Sequence, residues 1–426
     1  MTPTRKRIAV IGSGISGLAS AYFLRHQHDV VLYEANDYLG GHTHTVDVAL
    51  EGRTHGVDTG FLVYNDHTYP NLVALFAELG VASIASDMSF GVSMDGGALE
   101  WAGTSIDTVF AQRANALSPS FLGMLRDIVH FNGHAQRFLE LAGATGLTLG
   151  QLLQRERYGA RFRDVYLLPM AAAIWSSSPN DILRFPAATF LRFCLNHRLL
   201  QVSNRPQWRT VAGGARQYVD KIAATLPDCR LRSAVRSVRR EAGAVLVSSA
   251  AGTETFDAVV LATHAPTTLA MLADASENER AILGGVRYQP NAAWLHTDTK
   301  LMPRRRKVWS AWNYLAGAAS AGQRPVCVTY WLNQLQALPF DTPVMVTLNP
   351  HVPPASGTVL DKFDYAHPIM DQATIRSQQQ LAHIQGKGGL WYAGAWTGYG
   401  FHEDGLKSAL RVATAFDAAP AWATLP

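Results

Sequence analysis

The sequence has few cysteines and few charged residues for its length. Of 426 residues only 3 are cysteines, at positions 194, 229 and 327, so they are scattered and odd in number. This pattern predicts reduced core thiols rather than a disulfide framework. Charged residues make up 16% and hydrophobic residues 48%, a balance that argues against disorder and predicts a large buried core.

Long apolar runs are also lacking. The chain starts Met-Thr-Pro-Thr-Arg-Lys-Arg and enters a predicted strand without an apolar segment long enough for a signal peptide or a membrane span, so we expect a cytoplasmic protein. The net charge of +4 gives no support for nucleic-acid binding. One basic run, Arg304–Lys307, predicts a solvated hairpin tip. Peripheral contact with the inner membrane face, through anionic lipid, is the alternative for this run.

A glycine-rich turn follows the first predicted strand, which spans residues 7–11. The turn reads Gly-Ser-Gly-Ile-Ser-Gly and opens a predicted helix. Gly12 allows a tight turn, Gly14 lets backbone N–H groups approach a pyrophosphate, and Gly17 lets helix and strand pack closely. We include Ser16 in the same predicted site.

A carboxylate stands where a dinucleotide site needs one. A second predicted strand spans residues 29–34 and ends in the carboxylate of Glu34, which would accept hydrogen bonds from an adenosine ribose. These features alone do not separate nicotinamide from flavin cofactors, since both contain ADP. Gly40 and Gly41 follow directly and would lie along the far side of an extended FAD.

The end of the chain supports FAD. Residues 390–394 predict a strand and residues 401–413 a helix whose N-terminus would point at N1 and O2 of a flavin. No cysteine lies in this segment. The sequence therefore predicts non-covalent FAD.

These motifs carry a family resemblance over nearly the whole chain. With residues 57–60, 212–219 and 256–263, the sequence resembles the flavin-containing amine oxidase superfamily, which also includes phytoene-type desaturases, protoporphyrinogen oxidases and polyunsaturated fatty acid isomerases. It is most similar to a bacterial subgroup of predicted FAD-binding proteins, frequently encoded near relatives of cyclopropane fatty acid synthases.

The resemblance implies an amine-oxidase-like α/β fold, in which a Rossmann-like FAD-binding domain of the GR2 type is interleaved with an α+β substrate domain. We assign residues 1–72, 208–266 and 388–426 to the FAD-binding domain. Residues 73–207 and 267–387 then form the substrate or cap domain. Residues 105–200 predict helices, and residues 265–387 predict aromatic-rich strands.

The resemblance also implies further cofactor contacts. Val235 would hold the adenine through its main chain. A turn beside the flavin ring and the start of the C-terminal helix would complete the site, although acidic residues there also complement a helix N-terminus. The additional cofactor residues are His42, Thr43, Asp58, Gly60, Thr263, Gly394, Ala395, His402, Glu403 and Gly405.

Departures from the amine-oxidising pattern bear on the chemistry. Asn291 stands where amine oxidases commonly have a lysine that reaches flavin N5 through a water, and Ala395 stands where many relatives have a carboxylate. Phe401 takes the place of one wall of the amine-binding aromatic cage and is followed by His402. We predict Asn291, Phe401 and His402 as catalytic-site residues. About a third of a wider aromatic set is expected to line a tunnel: Tyr64, Trp175, Trp294, Trp309, Trp312, Tyr330 and Trp331.

A flavin enzyme of this kind removes a hydride, and the carbon that loses it needs a stabilising neighbour. The resemblance favours desaturation or double-bond isomerisation of an unsaturated or modified fatty acyl group, as a small molecule or a phospholipid. One alternative is an amine oxidase that releases hydrogen peroxide. Another is a non-catalytic flavoprotein partner of a lipid methyltransferase.

Overall fold

The structure is a computed structural model, and it describes residues 5–175, 178–201, 206–317 and 326–425. Its strands form two main sheets and three small ones. In chain order they are β1 (Arg7–Ile11), β2 (Asp29–Tyr33), β3 (Thr45–Leu50), β4 (Arg53–Asp58), β5 (Tyr64–Asn65), β6 (Ser83–Ser86), β7 (Phe90–Met94), β8 (Leu99–Ala102), β9 (Trp208–Val211), β10 (Asp228–Arg230), β11 (Val235–Glu241), β12 (Ala244–Ser249), β13 (Gly252–Phe256), β14 (Ala258–Leu261), β15 (Tyr288–His296), β16 (Trp312–Ala316), β17 (Val326–Trp331), β18 (Met345–Leu348), β19 (Val359–Pro368) and β20 (Leu390–Tyr392).

The helices include those expected between residues 105 and 200. They are α1 (Ile15–Leu24), α2 (Pro70–Leu79), α3 (Ile106–Val109), α4 (Pro119–Thr145), α5 (Leu149–Arg155), α6 (Ala160–Phe162), α7 (Leu168–Trp175), α8 (Pro179–Arg184), α9 (Ala187–Asn196), α10 (Arg216–Ala223), α11 (Ala265–Met271), α12 (Glu277–Gly284), α13 (Leu332–Gln336), α14 (Gln372–Gln380) and α15 (His402–Ala415). A π-helical turn, Arg163–Leu167, connects α6 to α7. The 3-10 turns are Asp95–Gly97, Arg113–Leu117, Thr299–Leu301, Arg306–Val308, Ser356–Thr358, Leu381–His383, Lys387–Gly389 and Ala395–Thr397.

One main sheet is parallel and has five strands in the order β10-β2-β1-β14-β20. Strands β1, β2, β14 and β20 are short and mostly apolar, as expected when both faces of a parallel sheet are covered, whereas the edge strand β10 consists of Asp228, Cys229 and Arg230. Ile8 and Val10 of β1 pack in one core with α1 and α15. Ala9 and Ile11 face the opposite core, because successive strand residues point to opposite faces.

All five strands lie within the three segments assigned to FAD binding. The chain therefore leaves this sheet and returns to it twice.

The second main sheet has seven strands in the order β19-β15-β18-β17-β16-β7-β8. Strands β15 to β19 come from the predicted aromatic-rich region, whereas β7 and β8 come from before the helical region. β7 pairs with β16 in parallel, while the other neighbours are antiparallel. This sheet and the helices from α4 to α9 share one large apolar core.

The basic run is not a hairpin tip, so that expectation was wrong. It occupies a 3-10 turn and its flank between β15 and β16, which do not pair with each other. Arg305 donates to the buried carboxylate of Glu100 at 2.8 Å, and Lys307 lies 2.9 Å from Asp107. The Arg306 guanidinium lies over the Trp309 ring at 3.7 Å.

Among the described residues, no helix combines the length and the apolar character needed to cross a bilayer.

Candidate functional site

A cavity of about 940 Å³ lies between the carboxyl ends of the parallel strands and the seven-stranded sheet. The turn after β1 forms one wall. Gly12 has a φ of +97°, and a Cβ there would lie 2.9 Å from the Ala262 carbonyl oxygen, so only glycine fits. A Cβ on Gly17 would lie 1.8 Å from the Gly12 oxygen, which shows how closely α1 approaches the strand.

The N-terminus of α1 is open to the cavity. Its N-cap is Gly14, where a Cβ would meet no atom within 4 Å. Gly41 approaches so closely that its own Cβ would lie 3.1 Å from the Gly14 Cα. The first turn of α1 holds no acidic side chain, so its free N–H groups and positive dipole end remain available for a pyrophosphate.

Glu34 and Val235 mark the opposite end of this wall. Both line the cavity. The buried Glu34 carboxylate accepts from the Ser13 amide at 2.9 Å and the Asn36 amide at 2.8 Å, and this fixes its position. Ribose binding by Glu34 and adenine binding by Val235 stay predictions.

A second helix N-terminus reaches the same cavity. A Cβ on Gly405 of α15 would lie 2.7 Å from Cγ2 of Ile15, so α1 and α15 pack together at their first turns. Ser408 Oγ accepts from the Gly394 amide at 2.9 Å and lies 3.3 Å from Ser16 Oγ. Gly394, Ala395 and Ser16 line the cavity.

His402, at the start of α15, is a neutral wall residue. Its ring stacks on Phe61 with 3.6 Å between centroids, and its Nε2 lies 2.9 Å from Thr43 Oγ1 and 3.2 Å from the Tyr218 hydroxyl. Burial lowers the pKa of His402 to about 3. The ring therefore acts as a fixed polar contact, uncharged at neutral pH.

The far end of the cavity is an apolar chamber. Phe193 and Phe401 stack with 4.9 Å between centroids, and Trp175 packs against Phe193 at 4.6 Å. His197 stacks on Phe193 at 4.0 Å, and burial lowers the pKa of His197 to about 4. The chamber is lined by Leu62, Val63, Met88, Ala173, Ile174, Trp175, Phe193, Leu199, Trp208, Trp312, Tyr330, Leu348, Tyr399 and Phe401.

Within the described structure, no charged side chain lines this chamber. The charged residues of the cavity wall are Glu34 and Arg236 at the nucleotide end, and Asp364 on β19. Three of the seven aromatic residues proposed for a tunnel, Trp175, Trp312 and Tyr330, line the chamber.

The family follows from the sequence match. The family described as flavin containing amine oxidoreductase matches residues 15–331. The chain belongs to this family.

Solved structures with the same fold include a fatty acid isomerase and two oxidases. The CLA-producing fatty acid isomerase from P. acnes is 16% identical, with a TM-score of 0.65 over 96% of this chain and 98% of that one. A putrescine oxidase is 14% identical, with a TM-score of 0.67 over 97% and 99%. Cyclohexylamine oxidase from Brevibacterium oxydans is 16% identical, with a TM-score of 0.68 over 97% and 100%.

The predicted family, fold class and cofactor are confirmed: the chain is an FAD-dependent enzyme of the flavin containing amine oxidoreductase family. Non-covalent attachment stays a prediction. The residues present fit FAD. Two helix N-termini and a glycine cradle face one cavity, and His42 places a buried, unpartnered Nε2 in its wall, as judged from the described residues. Gly40, Gly60 and Thr263 complete this part of the site, Gly40 and Gly60 because their Cβ atoms would clash with backbone oxygens at 2.5 and 2.3 Å.

Several predicted cofactor residues of this flavin containing amine oxidoreductase lie behind the wall. Asp58 accepts from the Ala215 amide at 2.9 Å and from Thr45, and burial raises the pKa of Asp58 to about 7 despite these bonds. Its carboxylate anchors the glycine turn before α10. Thr43 supports His402 rather than facing the cavity.

Glu403 turns away from the cavity. Its carboxylate accepts from the amides of Asn71 at 3.2 Å and Leu72 at 3.0 Å. It therefore caps the N-terminus of α2, not of its own helix. Glu403 and Gly405 can therefore contact FAD only through backbone atoms.

Asn291 also lies outside the cavity wall. It is buried on β15, and its amide nitrogen lies 2.9 Å from Nδ1 of His367. The cavity wall here includes Tyr365 and His367 of β19, which the sequence analysis did not single out. Their signal was the alternation of Phe363, Tyr365 and His367, which places three rings on one face of a strand.

Proposed function

We propose that this FAD-dependent oxidoreductase removes a hydride from an unsaturated or modified fatty acyl group, and thereby desaturates it or moves an existing double bond. The observation that supports this proposal is the apolar chamber. A site for a cationic diamine needs carboxylates or other polar partners, because an unpaired charge is costly to bury. Among the described residues, no carboxylate lines the chamber.

Bound FAD supplies a hydride acceptor at N5. The surrounding residues bind and orient the substrate and exclude water. Stacked rings such as Phe193 and Phe401 bury an acyl chain, each methylene of which gains about 0.8 kcal/mol on leaving water. An adjacent double bond stabilises the carbon that loses the hydride.

His402 holds its place without carrying charge. Its Nε2 is shared by Thr43 and Tyr218, and its low pKa keeps the ring neutral at pH 7. A neutral ring does not repel the electron-poor carbon that forms. We therefore assign His402 to orientation rather than to proton transfer, and Phe401 to the wall that the acyl chain contacts.

The fold alone does not choose the substrate, since it is shared by a fatty acid isomerase and by oxidases of putrescine and cyclohexylamine. Anaerobic incubation with unsaturated free fatty acids and phospholipids is the direct test. We expect bleaching of the flavin absorbance or, by mass spectrometry, a shifted double bond. Bleaching by polyamines or monoamines, with neither change for any lipid, would establish amine oxidation instead.

Substitution of Met88 sharpens this test. Met88 is a partly buried chamber residue, so Met88→Asp places a carboxylate beside the substrate. We expect acyl turnover to fall about tenfold or more, because the added charge must be desolvated, whereas turnover of a cationic amine is unchanged or rises. Met88→Leu is the matched control and should retain acyl turnover. Equal loss with both substitutions would argue against an acyl chain in this chamber.

A further inference from the structure

Two neutral histidines meet at the cavity wall with opposite hydrogen-bonding roles. His42 follows Gly41 of the cofactor cradle, and its ring centroid lies 5.3 Å from that of His367 on β19. Both line the cavity. Burial lowers the pKa of His42 well below its ordinary value and that of His367 to about 4, so both rings carry one proton each at neutral pH.

The protein determines which nitrogen of His42 carries that proton. The ring bonds to the Ala366 carbonyl, and among the described residues Nε2 is the buried nitrogen without a partner. A carbonyl only accepts, so Nδ1 is the protonated nitrogen. Nε2 therefore presents a lone pair to the cavity.

A relay of amide hydrogen bonds determines which ring nitrogen of His367 carries the proton. The Ala292 backbone N–H donates to Asn349 Oδ1 at 3.0 Å, and Asn349 Nδ2 donates to Asn291 Oδ1 at 2.7 Å. Asn291 Nδ2 then faces the Gln289 carbonyl at 3.0 Å and His367 Nδ1 at 2.9 Å.

Because the relay begins at a backbone amide and ends at two acceptors, no amide in it can be reversed without placing like groups together. His367 Nδ1 accepts, and Nε2 carries the proton.

We propose that Asn291 is a positioning residue that sets the tautomer of His367, so that His367 donates and His42 accepts at the edge of the bound flavin ring that carries both a carbonyl and an N–H. The pair is neutral, which suits a neutral ligand edge better than a carboxylate. The oxidised ring has a single N–H, at N3, between two carbonyls. His42 directly follows Gly41 of the cofactor cradle. The backbone of Gly60 lies beside His42 and precedes Phe61. The Phe61 ring stacks on His402, which begins the second helix whose N-terminus reaches the cavity. This inference depends on FAD and not on the choice of substrate.

FAD methylated at N3, which lacks that N–H, tests the acceptor. We expect the wild-type apoprotein to bind this analogue about tenfold more weakly than FAD, the loss of one hydrogen bond, as measured by quenching of flavin fluorescence. His42→Leu should bind both flavins with equal affinity. If His42→Leu discriminates as wild type does, or changes only the KM for substrate, the flavin assignment is wrong.

Asn349 tests the relay from an exposed position. Its φ of +50° suits aspartate and glycine alike. In Asn349→Asp only acceptors face Asn291, so its amide should reverse and shift the proton of His367 towards Nδ1. Asn349→Gly leaves Asn291 oriented by the Gln289 carbonyl and should leave His367 unchanged.

The readout is the pair of ¹⁵N resonances of the His367 ring in histidine-labelled holoenzyme, assigned by comparison with His367→Gln. Protonated and lone-pair imidazole nitrogens have well-separated shifts. A reversed pattern in Asn349→Asp with a wild-type pattern in Asn349→Gly supports the proposal. Wild-type patterns in both variants, or the same change in both, would overturn it.

Discussion

The glycines of the cofactor cradle differ in what a methyl group would meet. In Gly17→Ala the new Cβ would lie 1.8 Å from the Gly12 carbonyl oxygen, so α1 must move away from the strand. We expect the free energy of unfolding to fall by about 1–3 kcal/mol, measured by urea denaturation. Gly123→Ala on α4 is the control, since its Cβ meets nothing within 4 Å, and helix propensity predicts a gain of up to about 1 kcal/mol.

Gly14→Ala separates folding from cofactor binding. Its Cβ would project into open cavity space, where the pyrophosphate is expected. The apoprotein should therefore unfold at a urea concentration close to that of wild type, while its affinity for FAD falls. An unchanged affinity would place the pyrophosphate elsewhere.

Whether the role of a single residue can be predicted from the sequence depends on its chemistry. Gly12, Gly14 and Glu34 have requirements that are visible in the chain, namely a turn, a close approach and a spaced carboxylate. Asp58 and Glu403 fit equally well as cofactor contacts or as structural anchors, because a carboxylate accepts N–H groups in either role. Only the three-dimensional packing shows which donors surround them.

At the scale of the elements, one helix caps another. Glu403 of α15 satisfies the first N–H groups of α2 and accepts from the Asn71 side chain at 2.7 Å. Glu403→Leu leaves these donors unpaired and should cost about 1–3 kcal/mol of unfolding free energy. Glu403→Gln keeps one acceptor oxygen and should cost less, with FAD affinity near that of wild type. If FAD affinity falls in Glu403→Gln without a loss of stability, the carboxylate has a cofactor role after all.

Local patterns predicted the nucleotide-binding elements well. The predicted strand at residues 7–11 ends where the structure ends it, whereas the predicted strand at residues 29–34 extends one residue beyond Tyr33, the last residue of β2. The joining of β7 and β8 to the sheet of β15–β19 could not be predicted, since it pairs Phe90 with Trp312 across more than 200 residues. The π-helical turn before α7 likewise has no signal in apolar spacing.

At the scale of the whole molecule, buried histidines make stability depend on pH. Burial lowers the pKa of His197, His296 and His367 to about 4 and that of His402 to about 3. Between pH 4 and 6.5 the unfolded chain binds protons that these folded rings exclude. Their contribution is complete above pH 6.5 and is lost as the pH falls.

Two carboxyl groups oppose this trend. Burial raises the pKa of Asp58 to about 7 and that of Asp404 to about 6, so both release a proton on unfolding near pH 5. His42, whose pKa also lies well below its ordinary value, is a fifth such histidine, so five histidines against two aspartic acids leave a net uptake of about three protons. The free energy of unfolding should therefore rise by about 4 kcal/mol per pH unit near pH 5.

Urea denaturation at several pH values and saturating FAD checks this expectation. His296→Gln should reduce the slope by about one proton, because His296 is buried on β15 away from the cavity wall. The exposed His26→Gln is the matched control. A stability that is flat or falls between pH 4.5 and 6 would contradict the balance of charges described above.

The order of strands in the parallel sheet bears on how the protein is made. β1 and β2 leave the ribosome long before their sheet neighbours β14 and β20, which come from residues 258–261 and 390–392. At about 5–20 residues per second, β1 waits on the order of tens of seconds for the completed sheet. Since α15 forms part of the cofactor wall and follows β20 in the chain, we expect the enzyme to acquire its flavin only after α15 has been synthesised.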